Sequence, residues 1–280
     1  MPALTPKELI IEPGRAEAHY WLDLWRYREL FGFLAWRDVL VRYKQTAIGV
    51  AWAVIRPLLT ILISTVIFGK VAGLSSGSIP YPVMVCAGTL AWYFFSSALS
   101  ESSQSLIGNA NLISKIYFPR LILPASAIIV AFVDFAISCV ILAGLMAWYH
   151  VWPTANIALL PIFILLALVT ALGPGLLVTA LNVKYRDFRY IIPFAVQFGQ
   201  FVTPVAYSSQ IVQDKFGPTA RMIYSLNPMV GVVDGFRWCI TGDAAPHWPS
   251  FCISCGFGTL LLVLGIWYFR KTEKTFADII

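Results

Sequence analysis

The sequence predicts an all-α integral membrane protein of six transmembrane helices per protomer, with an N-terminal interfacial amphipathic helix. Three observations carry that expectation. The 280 residues are 59% hydrophobic and only 12% charged, where soluble chains run at about 45–50% apolar and about 25% charged. Six apolar runs approach the roughly 20 residues a membrane crossing requires. Lys and Arg gather on one side of those runs, as cytoplasmic loops do. The chain therefore divides into a flexible N-terminus (1–19), a cytoplasmic interfacial helix (20–46), a six-span core (50–269) and a cytoplasmic tail (270–280), with no soluble domain.

Residues 20–46 alternate Trp21, Leu24, Trp25, Leu30, Phe31, Leu34 and Trp36 with Asp23, Arg26, Arg28, Glu29, Arg37 and Asp38. Trp and Tyr beside Arg suit the headgroup layer. The pattern predicts an amphipathic helix broken near Gly32. No cleavable signal precedes it, so the first span is expected to act as the insertion signal.

The six spans fall at about 50–71, 81–106, 121–148, 156–181, 190–207 and 251–269. The fifth is interrupted by Pro193 and Pro204. Between the fifth and sixth, residues 221–240 are too apolar for a free loop and too broken by Asn227-Pro228, Gly231 and Gly235 for a clean span. Re-entrant helices on the outer side fit them, because irregular backbone at membrane depth needs protein or water around it. Fifteen Lys and Arg lie on the side of the two termini against four on the other, with Arg56 inside the first span. Both termini are therefore expected in the cytoplasm.

Several function classes drop out. The net charge of +6 reflects this loop bias, with no basic, aromatic-interleaved soluble face for nucleic acid. The five cysteines are odd in number, and Cys252-Ile-Ser-Cys255 lacks a redox βαβ context. There is no phosphate-cradling GxxxxGK[ST] and no HExxH. His19, His150 and His247 are scattered and predict no metal site.

Polar groups inside spans are costly and mark function. The second span carries Trp92, Tyr93, Phe94 and Phe95, then a serine-rich stretch. At helical spacing Tyr93, Ser97, Ser100 and Gln104 share a face, with Ser97, Glu101 and Ser105 beside it. That face suits either a hydrated path with aromatic faces for sugar rings or Ser-mediated helix packing. Asp134 in the third span is expected to face the bundle interior, paired with a polar partner or protonated, and Arg56 is one candidate partner. Gly173-Pro174-Gly175 allows a kink or a close helix approach and reads as packing. The connections 108–120 and 181–190 mix apolar side chains with charge. They suit a docking knob for a cytoplasmic partner, or an ordinary membrane-edge loop.

Four stretches carry a resemblance: Phe33-Leu-Ala-Trp-Arg-Asp-Val-Leu-Val-Arg-Tyr-Lys44, Ile113-Ser-Lys-Ile-Tyr-Phe-Pro-Arg120, Ala180-Leu-Asn-Val-Lys-Tyr-Arg-Asp187 and Leu226-Asn-Pro-Met229. In this order, on a six-span frame, the chain resembles the permease subunit of type-2 ABC exporters. It is most similar to the subgroup exporting O-antigen, capsule and teichoic acid. The resemblance implies a homodimeric channel with two copies of a separate ATPase beneath it. ATP and Mg would be bound by that partner, with no cofactor and no catalytic residue in this chain. It implies a glycan on a lipid carrier, usually undecaprenyl diphosphate, crossing the bacterial inner membrane. The ATPase-coupling loops would include Asn109, Asn111, Leu112 and Lys115, and Lys184, Tyr185, Arg186 and Asp187. Trp92, Tyr93, Phe94, Phe95, Ser97, Ser100, Glu101 and Gln104 would line the channel. Arg37, Arg42 and Lys44 are candidates for a cationic entrance for the lipid diphosphate. The rivals are a drug or small-lipid exporter of the same superfamily, a membrane enzyme acting on a lipid-linked sugar, and a secondary transporter. The enzyme would need clustered carboxylates or His at one membrane face, and the secondary transporter an internal repeat.

Overall fold

The computed structural model describes residues 20–44, 49–74, 77, 79–185, 187–242 and 245–276. The regular elements among the described residues are all helical, with no strand. Residues 1–19 and the coupling residue Arg186 lie outside them.

The N-terminal amphipathic segment forms α1 (Tyr20–Arg26) and α2 (Arg28–Lys44). The break falls at Tyr27, not near Gly32. The backbone amides of Tyr27 and Phe31 still reach the carbonyls of Asp23 and Tyr27 at 3.0 Å, so the junction is a slight kink. Gly32 lies inside α2, where helical hydrogen bonding outweighs its weak propensity.

The first crossing is α3 (Gly49–Ser64), which continues as a π-helical turn over Thr65–Val71. It is followed by α4 (Tyr81–Gly108), the short α5 (Ala110–Ile113), α6 (Ile122–Trp148) and α7 (Leu160–Lys184). Next come α8 (Phe188–Val202), α9 (Gln210–Phe216), α10 (Pro218–Tyr224), α11 (Pro228–Thr241) and α12 (Trp248–Thr272). Among the described residues, five helical segments are long and apolar enough to cross a membrane: Ala51–Val71, Tyr81–Gly108, Ile122–Trp148, Ala155–Lys184 and Trp248–Thr275. The expected fifth span is the short one. Helix α8 has 15 residues, about 22 Å against a hydrocarbon core of about 30 Å.

Helix α4 is the central post, buried along most of its length and packed against α6 and α7. The Gly-Pro-Gly stretch is a packing device. A Cβ on Gly173 would come within 2.6 Å of the Leu261 backbone, and one on Gly265 within 2.2 Å of the Gly173 carbonyl. Helices α7 and α12 therefore touch backbone to backbone. On the other side, a Cβ on Gly175 would meet the Ser102 hydroxyl at 2.5 Å.

Both described termini lie at one end of this bundle. Tyr20 donates to Glu273 at 3.3 Å, and the Arg120 amide donates to the same carboxylate at 2.9 Å. Burial and the Glu273 charge push the Tyr20 phenol up. Leu34, Leu106, Ile122, Val183, Phe269 and Phe276 form a separate apolar cluster there. We refer to it as the Gly108 end and to the opposite one as the Tyr81 end.

Helices α9 to α11 belong to the Tyr81 end. The Asn227 side chain caps α11 by accepting from the Met229 amide at 3.0 Å and donates to Thr203 at 2.9 Å. Pro228 lies against the position of Gly258, and Thr170 contacts Met229. From that depth α11 climbs to Gly242, which sits against Thr154.

Candidate functional site

A cavity of about 1030 Å³ opens between α2, α3, α4, α6 and α8. Its walls hold most of the polar residues singled out in the sequence. Helix α4 contributes Trp92, Tyr93, Phe94, Ser97, Ser100 and Glu101, helix α6 Asp134, helix α3 Arg56 and helix α2 Arg42.

The aromatic run divides by role. Phe94 is 1% exposed and packs edge-on against Phe132 and Phe135, at centroid distances of 4.8 and 5.3 Å. Trp92 is 3% exposed, wedged against Gly199 of α8 and beside Phe95 at 5.3 Å. Tyr93 is half-buried, and its hydroxyl lies 2.5 Å from that of Thr60 on α3. Phe95 packs onto the core outside the cavity lining.

The serine-rich stretch also divides. Ser97 and Ser100 face the cavity. Ser102, Ser103 and Ser105 are buried and bond back to their own helix. Thr179 and Asn182 of α7 donate to the Ser102 and Ser103 carbonyls at 2.8 and 3.1 Å. One face of the helix thus serves a cavity and the other helix packing. Gln104 is exposed, outside the cavity.

The charges form a cluster that spacing alone does not foretell. Arg42 donates one nitrogen to Glu101 and the other to Asp134, the latter at 2.7 Å. Tyr43 also donates to Asp134, and Ser97 donates to it at 3.4 Å. Burial works against the charge on Arg42, but Asp134 and Glu101 together outweigh it and raise its pKa. Burial and then Asp134 push the Tyr43 phenol up. Arg56 is not the ion-pair partner of Asp134.

The three candidates for a cationic entrance have different surroundings. Arg37 pairs with Asp38 and donates to the Asn109 side chain, both at 2.7 Å, and Arg42 is held by two carboxylates. Lys44 is exposed at the end of α2. Helix α2 is also not confined to the end of the bundle. Arg37 meets Asn109 just past α4, while Arg42 meets Glu101, about 12 Å deeper at 1.5 Å per residue.

The two loops lie together at the Gly108 end. Asn111 and Lys115 are exposed and Leu112 half-buried, and a cavity of about 210 Å³ is lined by Ile113–Phe118 and Arg120. Lys184, Tyr185 and Asp187 are exposed. The Tyr27 hydroxyl ties the first loop down by donating to the Tyr117 carbonyl at 3.2 Å.

Sequence reasoning passed over Arg237, counting it as an outer-loop charge. It is 8% exposed and donates to the carbonyls of Met84, Val205 and Tyr207 at 3.3, 2.6 and 2.7 Å. It thereby fixes the bend after α8 to α4. Asp234 nearby accepts from Ser209 at 2.5 Å. The signal was present: opposite charges three residues apart in an otherwise apolar stretch.

Residues 29–241 match the model of the ABC-2 type transporter family. The chain is 26% identical over 257 residues to the O-antigen export system permease protein RfbA of Myxococcus xanthus, covering 91% of this chain and 97% of that protein. It is 26% identical over 245 residues to the RfbA permease of Klebsiella pneumoniae, covering 87% and 92%. It is 22% identical over 244 residues to the polysialic acid transport protein KpsM of Escherichia coli, covering 85% and 91%. The chain belongs to the ABC-2 type transporter family, whose members of this kind are membrane transport subunits rather than catalysts.

Proposed function

We infer that this ABC-2 family member is the permease subunit of a polysaccharide exporter in the bacterial cytoplasmic membrane. Two copies form the translocation path, and two copies of a separate ATPase drive it. The cargo is a glycan on a lipid carrier of the undecaprenyl diphosphate type. The cavity carries this reading. It combines aromatic surface with hydroxyls and carboxylates that can accept from sugar hydroxyls, on walls that otherwise belong to membrane-crossing helices. The printed functions of the relatives, O-antigen export and polysialic acid transport, point the same way.

The topology follows. Asn182 bonds to α4 near its Gly108 end, whereas Ala206 and Tyr207 bond to Tyr81 and Arg237 at the other. Helix α8 and the bend after it therefore supply a sixth crossing. Helices α9 to α11 enter and leave at the Tyr81 end, as a re-entrant element on the outer face. The Lys and Arg excess assigns the Gly108 end to the cytoplasm, so the exposed loops around Asn111, Lys115, Lys184 and Asp187 meet the ATPase there. Reconstitution tests the reading: vesicles holding this chain with its ATPase partner export glycan on ATP addition, and vesicles holding the chain alone neither hydrolyse ATP nor export. Export or hydrolysis by the chain alone overturns it.

A further inference from the structure

Arg56 is the only charged residue from Gly49 to Gly69 in the sequence. A guanidinium on so apolar a crossing helix is costly unless it meets a partner or water. It lines the large cavity, yet no ion pair engages it among the described residues. Both carboxylates of the cavity are held by Arg42 instead. Two cations and two anions thus share one space unevenly: Arg42 pairs with both carboxylates, and neither is paired with Arg56.

What surrounds Arg56 is suited to a ligand. Trp52 and Thr60 lie one turn before and one turn after it, so the three share a face of α3, and all three line the cavity. Arg56 and Tyr93 both line the cavity, and the Tyr93 hydroxyl shares a hydrogen bond with Thr60 at 2.5 Å. Each hydroxyl can donate one hydrogen bond and accept others. Trp52 is 56% exposed, leaving apolar aromatic surface one turn from the charge.

We propose that Arg56, with the hydroxyls of Thr60 and Tyr93, forms a subsite for an oxyanion of the transported molecule, and that Trp52 stacks on the group next to it. The inference rests on the polysaccharide-export reading above. A guanidinium fork grips phosphate or carboxylate through two parallel bonds. The oxyanion has two possible sources with the same chemistry: the diphosphate of a lipid carrier, or acidic groups along the glycan.

The test uses the full-length chain in phosphatidylcholine nanodiscs and four probes. These are geranylgeranyl diphosphate, uncharged geranylgeraniol, a hexamer of sialic acid and a neutral mannohexaose. R56Q is expected to weaken binding of at least one anionic probe by about tenfold or more, the scale of a charged hydrogen bond. Both neutral probes stay within about twofold, the scale of noise in such affinities. R56K keeps the charge but loses the fork and falls between. K70Q, at the far end of the same crossing segment, matches wild type. The anionic probe that weakens identifies the source. The proposal is overturned if wild type binds neither anion, if R56Q binds both as wild type does, or if anionic and neutral probes weaken alike. An unchanged unfolding midpoint in R56K keeps the test open should R56Q misfold. Failed glycan export by the reconstituted transporter, with Arg56-dependent anion binding intact, sinks the export reading and leaves the subsite standing.

Discussion

Replacing Arg42 by Gln probes the charge cluster most directly. In the folded chain one guanidinium faces Glu101 and Asp134, with side chains 35%, 39% and 20% exposed. Those exposures put the cluster between two regimes. Surface pairs contribute about 0–1 kcal/mol, whereas removing one partner of a buried pair costs about 3–5 kcal/mol. Without Arg42 the two carboxylates stand on the order of 5 Å apart and repel by about 3 kcal/mol at an effective dielectric constant of 20. Part of that is relieved by solvent reaching Glu101. We expect R42Q to cost about 2–3 kcal/mol.

Asp134→Asn leaves Arg42 paired with Glu101 and keeps an acceptor for Tyr43, so it should cost about 1 kcal/mol. The double variant removes the guanidinium and the repulsion together. It should cost less than the two singles combined, with a coupling of about 2 kcal/mol. Thermal unfolding of the purified chain in detergent, followed by tryptophan fluorescence, ranks the variants. Additivity within about 0.5 kcal/mol would refute the bridging arrangement, as would D134N costing more than R42Q.

Three further predictions follow from packing and placement. Gly265→Ala drives a Cβ into the Gly173 carbonyl and should cost about 1–3 kcal/mol by overpacking; Gly32→Ala, with nothing within 4 Å, should be neutral or stabilise by up to about 1 kcal/mol, and their unfolding midpoints should separate accordingly. Arg237→Met leaves three carbonyls without their donor; a loss of about 3 kcal/mol or more is expected, read as reduced monodisperse yield, with R237K recovering part of it. Charge reversals at the exposed Lys115 and Lys184 should abolish co-purification with the partner ATPase while leaving stability within about 0.5 kcal/mol of wild type.

How far the sequence could be read depends on whether the informative distance lies along the helix or between helices. Crossing segments were legible because length and hydropathy are local quantities, and five of the six agree with observed helices to within about three residues. A close helix approach at Gly173-Pro174-Gly175 was legible, since small residues in an apolar helix mark one, but not that its partner is α12. The double role of the serine stretch was legible only as two alternatives. Periodicity says that Ser97 and Ser102 face apart, but not which face meets α7.

The Arg42 cluster was not legible at all, for a physical reason. Its partners lie 59 and 92 residues away, and an amphipathic pattern reads the same whether its polar face meets water or another helix's carboxylates. Composition therefore assigned residues 20–46 to the membrane surface. The folded chain brings the Arg42 end of α2 against Glu101 and Asp134 of the cavity. That placement has a consequence for the neighbouring loops. Arg37 holds Asn109, beside the proposed ATPase contact, and Arg42, five residues along the same rigid helix, holds the cavity acids. The two sets of contacts thus sit about 7.5 Å apart along one helix, at 1.5 Å per residue.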